Sequence, residues 1–259
     1  MEQVRYEVDG PVGRLTIDRP ERRNAMSFQV MEELEEGVAA ARADEAVRVL
    51  VLTGAGEQAF CAGADLGGIG EQVGAAAGMH EARGRVARLF RSLWWLGKPT
   101  IARVRGYCLA GGFGLALACD IVIAADDAVF GTPEINVGLW PYQISVPLLR
   151  SMPPKHALEL MLTGRRVGAA EAERIGFVNR VVPVAELDAA VDELAATIAA
   201  KSPLVVRWGR DSFYRVLDMG GEEALDYLHA MLTVTTATED AAEGLAAFAE
   251  KRKPDWKGR

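Results

Sequence analysis

Cysteine is scarce in this chain: Cys61, Cys108 and Cys119 are the only three in 259 residues. An odd, widely spaced set without a C-x-x-C pair excludes a disulfide framework and a cysteine-based metal site. Histidine is as sparse. His80, His156 and His229 share no ligand spacing, so no metal is expected. No apolar run is long enough to span a bilayer, and "MEQVRYEVDG" has no apolar signal region. The expectation is a soluble, cytoplasmic protein in a reducing compartment, with no membrane association. Basic residues are outnumbered, 29 against 36 acidic ones, for a net charge of −7. That argues against a general nucleic-acid binder, which shows a basic face. A small anionic ligand stays possible, because a local patch can override the global sign.

Two familiar loops are missing as well. Gly54 and Gly56 follow a predicted strand, but Ala59 stands where G-x-G-x-x-G needs its third glycine, and no G-K-[ST] follows. No G-x-S-x-G marks a serine nucleophile.

The chain does contain regular alternations of strand and helix signals. "VRYEVDGPVGRLTIDRP" alternates apolar and polar residues on both sides of Asp9-Gly10, which predicts a β-hairpin. Ser27 precedes "FQVMEELEEGVAAARA" and is a predicted helix N-cap. Val47–Gly54, Thr100–Gly106 and Asp120–Ala125 read as buried strands, and Glu71–Leu96 as an amphipathic helix stopped by Gly97 and Pro99. Repetition of strand and helix implies an α/β core with largely parallel strands. From Val184 onward the pattern is nearly all helical, with apolar faces too extensive to hide alone. The expected division is a core over 1–195 and a helical region over 196–259 that packs on the core or on another subunit.

The candidate chemistry lies in three places. "CLAGGFGLALACD", Cys108–Asp120, runs a glycine pair straight into an apolar helix. "FCAGADL" is a second small-residue loop, with Asp65 as a possible cap for a following turn. Free N–H groups at helix starts point outward, and two aimed at one point make an oxyanion hole. The same glycines would also serve close helix–strand packing. Third, Glu134 follows Pro133 among apolar neighbours in "AVFGTPEINVGLW". A desolvated carboxyl has a raised pKa suited to proton transfer, although a capping or surface glutamate would read alike. Cys61 reads as a small buried thiol rather than a nucleophile.

The ordered set "DRPERRNAMS", "VLTGAGEQAFCAGADL", "KPTIARVRGYCLAGGFGLALACDIVIAADDAVFGTPEINVGLWP", "LTGRRVGAAEAERIGFVNRVV" and "AFAEKRKPDW" resembles the crotonase superfamily, the enoyl-CoA hydratase/isomerase group. The resemblance spans nearly the whole chain. It implies a spiral core of ββα repeats followed by a helical trimerisation region, as a trimer or a dimer of trimers. It implies an acyl-CoA thioester substrate and no cofactor, coenzyme A being part of the substrate. Matched motif to motif, the backbone N–H groups of Ala64 and Gly111 would hold the thioester oxygen as it becomes an enolate. Losing one such donor typically costs about 3–4 kcal/mol of transition-state stabilisation. Ala62, Ala64, Asp65, Leu66 and Gly67 would line the thioester and CoA path. Arg22 and Arg23 would run along CoA. Phe248 and Lys251 match a C-terminal pair that reaches the nucleotide end, often from a neighbouring subunit. Trp140, with Tyr142 and Gln143, sits where acyl specificity could be set, although packing residues would read alike.

Hydratases of this group typically carry two glutamates. Glu134 matches the second, but Gly114 occupies the first position, twenty residues earlier. The expectation is therefore a hydratase-type lyase with one acid–base glutamate. A one-base isomerase that shifts a double bond from C3 to C2 is the close alternative, and a non-catalytic acyl-CoA binder a third.

Overall fold

The computed structural model describes residues 1–65 and 76–259, the side chains of 76–79 and 81–83 excepted. The hairpin forms as its alternation predicts. β1 (Val4–Asp9) pairs antiparallel with β2 (Val12–Ile17) across Gly10, whose φ of 53° suits glycine. Ser27 caps α1 (Phe28–Ala43) by accepting the Val30 N–H at 3.1 Å.

Three ββα units follow. β3 (Val49–Gly54) and β4 (Ala59–Cys61) lead toward α2 (Ala76–Trp94). Residues 71–75 of the expected helix lie outside the described residues. β5 (Thr100–Val104) and β6 (Tyr107–Leu109) lead into α3 (Gly111–Leu117). β7 (Ile121–Ala125) and β8 (Val129–Gly131) lead to a 3₁₀ turn (Pro133–Val137), α4 (Ser145–Ser151) and α5 (Pro154–Thr163). Each unit gives its first strand to a six-stranded sheet, ordered β1-β2-β3-β5-β7-β10 with β10 at Arg180–Val182, and its second to a four-stranded sheet, ordered β4-β6-β8-β9 with β9 at Arg166–Gly168. This is the crotonase-like spiral. β9 (Arg166–Gly168), α6 (Ala169–Ile175) and β10 (Arg180–Val182) complete both sheets.

The inner strands of the large sheet, β3, β5 and β7, are buried on both faces, which explains their unbroken apolar runs. Leu50, Leu52, Ala102 and Val104 face the main core with α1, α2 and α3. Val49, Val51, Ile101 and Ile123 face α7 (Leu187–Ala199), which covers the other side with Leu187, Ala190, Val191 and Ala195.

Three further helices follow: α8 (Pro203–Val216), α9 (Gly221–Thr236) and α10 (Glu239–Glu250). Asp120, just before β7, anchors α8: its carboxylate accepts from Arg210 Nε at 2.7 Å and from the Tyr214 hydroxyl. α9, by contrast, contains no buried residue. Among the described residues no helix is long and apolar enough to cross a membrane.

Candidate active site

The small sheet assembles the site. β4, β6 and β8 lie side by side and parallel, with Cys61 opposite Cys108 and Leu109 opposite Gly131. Parallel neighbours end on the same edge. Ala64, Gly111 and Glu134 follow those three strand ends by two or three residues. Open α/β sheets place ligands beyond the carboxyl ends of their strands.

At Ala64 the backbone is held on one side only. Met26 N–H donates to Gly63 O at 2.8 Å, and Asp65 N–H donates to Met26 O at 2.9 Å. In an extended segment successive N–H groups alternate in direction, so the Ala64 N–H points away from Met26. Gly63 has a φ of 104°, and a Cβ there would meet Ala110 Cβ at 2.7 Å and Gly111 N at 3.7 Å. Only glycine lets these loops touch.

The second loop is strained. Ala110 has φ 50° and ψ −127°, unusual for an L-residue and worth roughly 1–3 kcal/mol. Its N–H is tied to Gly131 O at 2.9 Å. That geometry turns the chain from β6 straight into α3, leaving Gly111 as the first helical residue. Its N–H belongs to the set at a helix start with no intrahelical acceptor. The glycine pair divides between two tasks. A Cβ on Gly112 would lie 2.3 Å from Cys61 O, so Gly112 serves close packing of helix on strand. A Cβ on Gly111 would meet only the mobile end of a side chain, Met26 Cε at 2.7 Å.

Glu134 sits in the 3₁₀ turn, whose start Thr132 fixes by donating to Leu160 O at 2.9 Å. Its Oε2 is buried and has no hydrogen-bond partner among the described residues. Burial raises its pKa above the ordinary glutamate value, against a smaller lowering from its own backbone N–H. Most buried polar atoms are satisfied, and Glu134 Oε2 is one of five side-chain atoms among the described residues that are not.

Gly114 has an equally definite environment. A Cβ there would lie 2.5 Å from Ile144 Cγ2 and 3.0 Å from Phe90 Cζ. Apolar side chains fill the place where a first glutamate would stand.

Of the remaining expected residues, Arg22 and Arg23 are exposed in the loop after β2. Arg23 O accepts from Ala62 N–H at 3.0 Å, joining this loop to the Ala62–Ala64 segment. The Arg23 guanidinium lies 5.8 Å from the Tyr107 ring centre, and Arg166 approaches the same ring at 5.2 Å. Asp65 pairs with Arg19 at 2.9 Å. Leu66 and Gly67, and any helical turn opened by Asp65, lie outside the described residues. Trp140 is half-buried against the main core, whereas Tyr142 is exposed. Phe248 lies in the last turn of α10, 87% exposed, and Lys251 is the left-handed residue that caps it. No hydrogen bond or ion pair joins them to the three strand ends among the described residues. All three cysteines are buried, and burial pushes the Cys61 thiol up to about 12, so it is no nucleophile at neutral pH.

Sequence reasoning missed Asn24 and Ile144. Asn24 is fully buried with φ 55°; its amide donates to Ala59 O at 2.7 Å and Ala55 O at 2.9 Å, and its Oδ1 accepts from Arg19 N. It locks the arginine loop to β4. An asparagine after charged residues, suited to the left-handed region, was the available signal. Ile144 carried none, because it meets Gly114 across thirty residues.

Comparison with known proteins shows the family and the fold. A family model described as enoyl-CoA hydratase/isomerase matches residues 7–259. The carnitinyl-CoA dehydratase of Proteus mirabilis is 39% identical over 255 residues, 96% of each chain. A solved enoyl-CoA hydratase from Bacillus anthracis superposes with TM-score 0.94 at 32% identity, covering 99% of this chain and 100% of that one. An enoyl-CoA hydratase/carnithine racemase structure from Magnetospirillum magneticum gives TM-score 0.91 at 33% identity, covering 100% and 97%.

Proposed function

The chain belongs to the enoyl-CoA hydratase/isomerase family, and we propose that it is a hydro-lyase for 2-enoyl-CoA thioesters with Glu134 as its one acid–base residue. The observation behind this reading is the buried, unpartnered Glu134 Oε2 beyond the same sheet edge as two outward backbone N–H groups.

In the proposed reaction the thioester oxygen lies between the N–H groups of Ala64 and Gly111. Ionised Glu134 takes a proton from water as the water oxygen bonds to C3. The C2=C3 electron pair moves toward the thioester and leaves an enolate oxygen, stabilised by the two donors. Glu134 then returns the proton to C2 and the carbonyl reforms. One carboxyl suffices because it gives back what it received. A raised pKa suits a group that must be base and acid in turn. Elimination of water from a 3-hydroxyacyl-CoA is the same path reversed, and the similar carnitinyl-CoA dehydratases support that chemistry.

Arg22, Arg23, Ala62 and Asp65 are proposed to line the CoA path, with Leu66 and Gly67, and Trp140 to border the acyl group. Phe248 and Lys251 are proposed to reach CoA across a subunit boundary. α9, which contains no fully buried residue and exposes Leu225 and Leu232, supports assembly into a trimer or a dimer of trimers. Three buried free thiols support a reducing, cytoplasmic setting.

The test is spectroscopic. Crotonyl-CoA and branched 2-enoyl-CoAs should lose their conjugated thioester absorbance on incubation, and carnitinyl-CoA should gain it. No change with any of them would overturn the hydro-lyase reading. The apolar wall at Gly114 favours a second reading, a one-base isomerase. Absorbance gained from a 3-enoyl-CoA, with none lost from 2-enoyl-CoAs, would establish that instead.

A further inference from the structure

The first halves of the ββα units begin at the opposite end from their catalytic loops, and that end carries its own cleft. Arg48 immediately precedes β3, and Lys98 and Pro99 precede β5. Between them and α8 lies a cleft of about 510 Å³. Six lysines and arginines line it, against one acid, Glu45. They converge from the end of α1, the two strand entries, the α7–α8 connection and the C-terminal tail. In a chain of net charge −7, this is a local reversal of sign.

Three of the six cations are already used. Lys98 Nζ donates to Ala41 O at 2.6 Å and Asp44 O at 2.5 Å, the carbonyls at the end of α1. Arg42 Nη2 donates to Trp95 O at 2.8 Å. Lys257 pairs with Asp255. Arg48, Lys201 and Arg207 have no side-chain hydrogen bond or ion pair among the described residues. Arg48 Nη1 is buried without an acceptor. Asp240, whose carboxylate senses Arg48, is bonded instead to Ser202 Oγ and the N–H groups of Lys257 and Gly258. Asp211 senses Arg207 and Arg42, but it does not line the cleft. Repulsion is felt inside. The Lys98 pKa is lowered first by burial and further by Arg207 and Arg48, against the raising pull of Asp44 and Glu45.

We propose that this cleft binds a pyrophosphate-type anion, through Arg48, Lys201 and Arg207. Two phosphates joined through one oxygen match the arrangement: guanidinium forks bind phosphate oxygens in pairs, and a lysine adds a mobile point charge. The anion supplies the acceptor that Arg48 Nη1 lacks and offsets the repulsion at Lys98. Leu204 and Val206 on the same wall offer apolar surface to an organic group attached to the phosphates. The chemistry is common to inorganic pyrophosphate and nucleotide diphosphates.

Calorimetric titration of the full-length protein at fixed ionic strength, without acyl-CoA, tests this with pyrophosphate and with ADP. Saturable binding of at least one is expected. Lys201→Ala/Arg207→Ala should weaken it at least about tenfold. ADP binding tighter than pyrophosphate identifies a nucleotide as the source; equal affinities identify the free anion. The proposal is overturned if neither probe saturates, if sulfate at equal ionic strength gives the same heat, or if the double variant binds as the parent does. Loss of binding in Arg23→Ala alone would assign it to the CoA path and overturn it equally. Circular dichroism melting of the double variant separates lost binding from lost folding.

Discussion

Two glutamates, Glu33 buried and Glu134 partly buried, face opposite fates. Glu33 on α1 is nearly covered, and its Oε2 accepts the N–H groups of Glu2, Gln3 and Val4 at 2.8–3.0 Å. Burial alone would raise its pKa, yet those bonds and one from Gln29 hold it below the ordinary carboxylate value. At Glu134 burial acts with little opposition, and the pKa rises. Burial therefore does not decide a carboxylate's role. The supply of donors does: satisfied, the group staples the N-terminal strand; unsatisfied, it is left able to exchange a proton.

The contrast is broken most sharply at Glu134. Glu134→Gln should lower turnover of enoyl-CoA by about 10²–10⁴-fold, with no loss of melting temperature. Near-normal steady-state rates would remove Glu134 as the acid–base residue. Next is the donor side of the same site. Ala64→Pro deletes one N–H and should cost roughly 10²–10³-fold in kcat; an unaltered kcat in a protein that melts normally would sink the oxyanion role.

Glu33→Gln should leave kcat unchanged and cost about 1.5–3 kcal/mol of stability at neutral pH, because charge-assisted bonds to buried N–H groups are weakened. The two residues also differ in sign with pH. Glu33 has a lowered folded pKa, so its contribution is present above the ordinary glutamate pKa and is lost as pH falls through the folded value. Glu134 has a raised folded pKa, so its ionisation costs stability, and falling pH relieves that cost. Denaturant melts against pH should show the Glu33→Gln deficit shrinking in acid. In parallel, the acid limb of the pH–rate profile should lie above the ordinary glutamate pKa.

The smallest effect is expected at the wall. Gly114→Ala should cost about 1–3 kcal/mol by overpacking against Ile144 and Phe90, and Ile144→Ala in the same chain should recover part of it. Additive losses in the double variant would show that the contact is not the cause.

Much of this was legible in order along the chain. The hairpin, the Ser27 cap and strands β3, β5 and β7 of the large sheet form where alternation, apolar runs and capping residues predict them, whereas its three-residue β10 was not read. β4, β6, β8 and β9 were not read. Each is three residues long, too short to show a period, and "YCL" in front of "AGG" reads as part of a turn. Those four short strands nevertheless position the candidate site. Glu134 and the glycine loops could be named from the residues and the family resemblance, but their proximity could not.

The sequence by itself determined the local repertoire: which segments are helix or strand, which loops are bare enough to present backbone, and that one carboxylate of the expected pair is missing. The first two follow from periodicity and residue type, which act over a few neighbours; the third rests on the family resemblance. Only the tertiary structure decided that Ala64, Gly111 and Glu134 share one sheet edge, that Gly112 packs while Gly111 presents its N–H, and that Ile144 closes the space at Gly114. Such contacts join residues tens of positions apart. They depend on the register of parallel strands and on which side chains the core has room for, and neither is written in any single stretch of the chain.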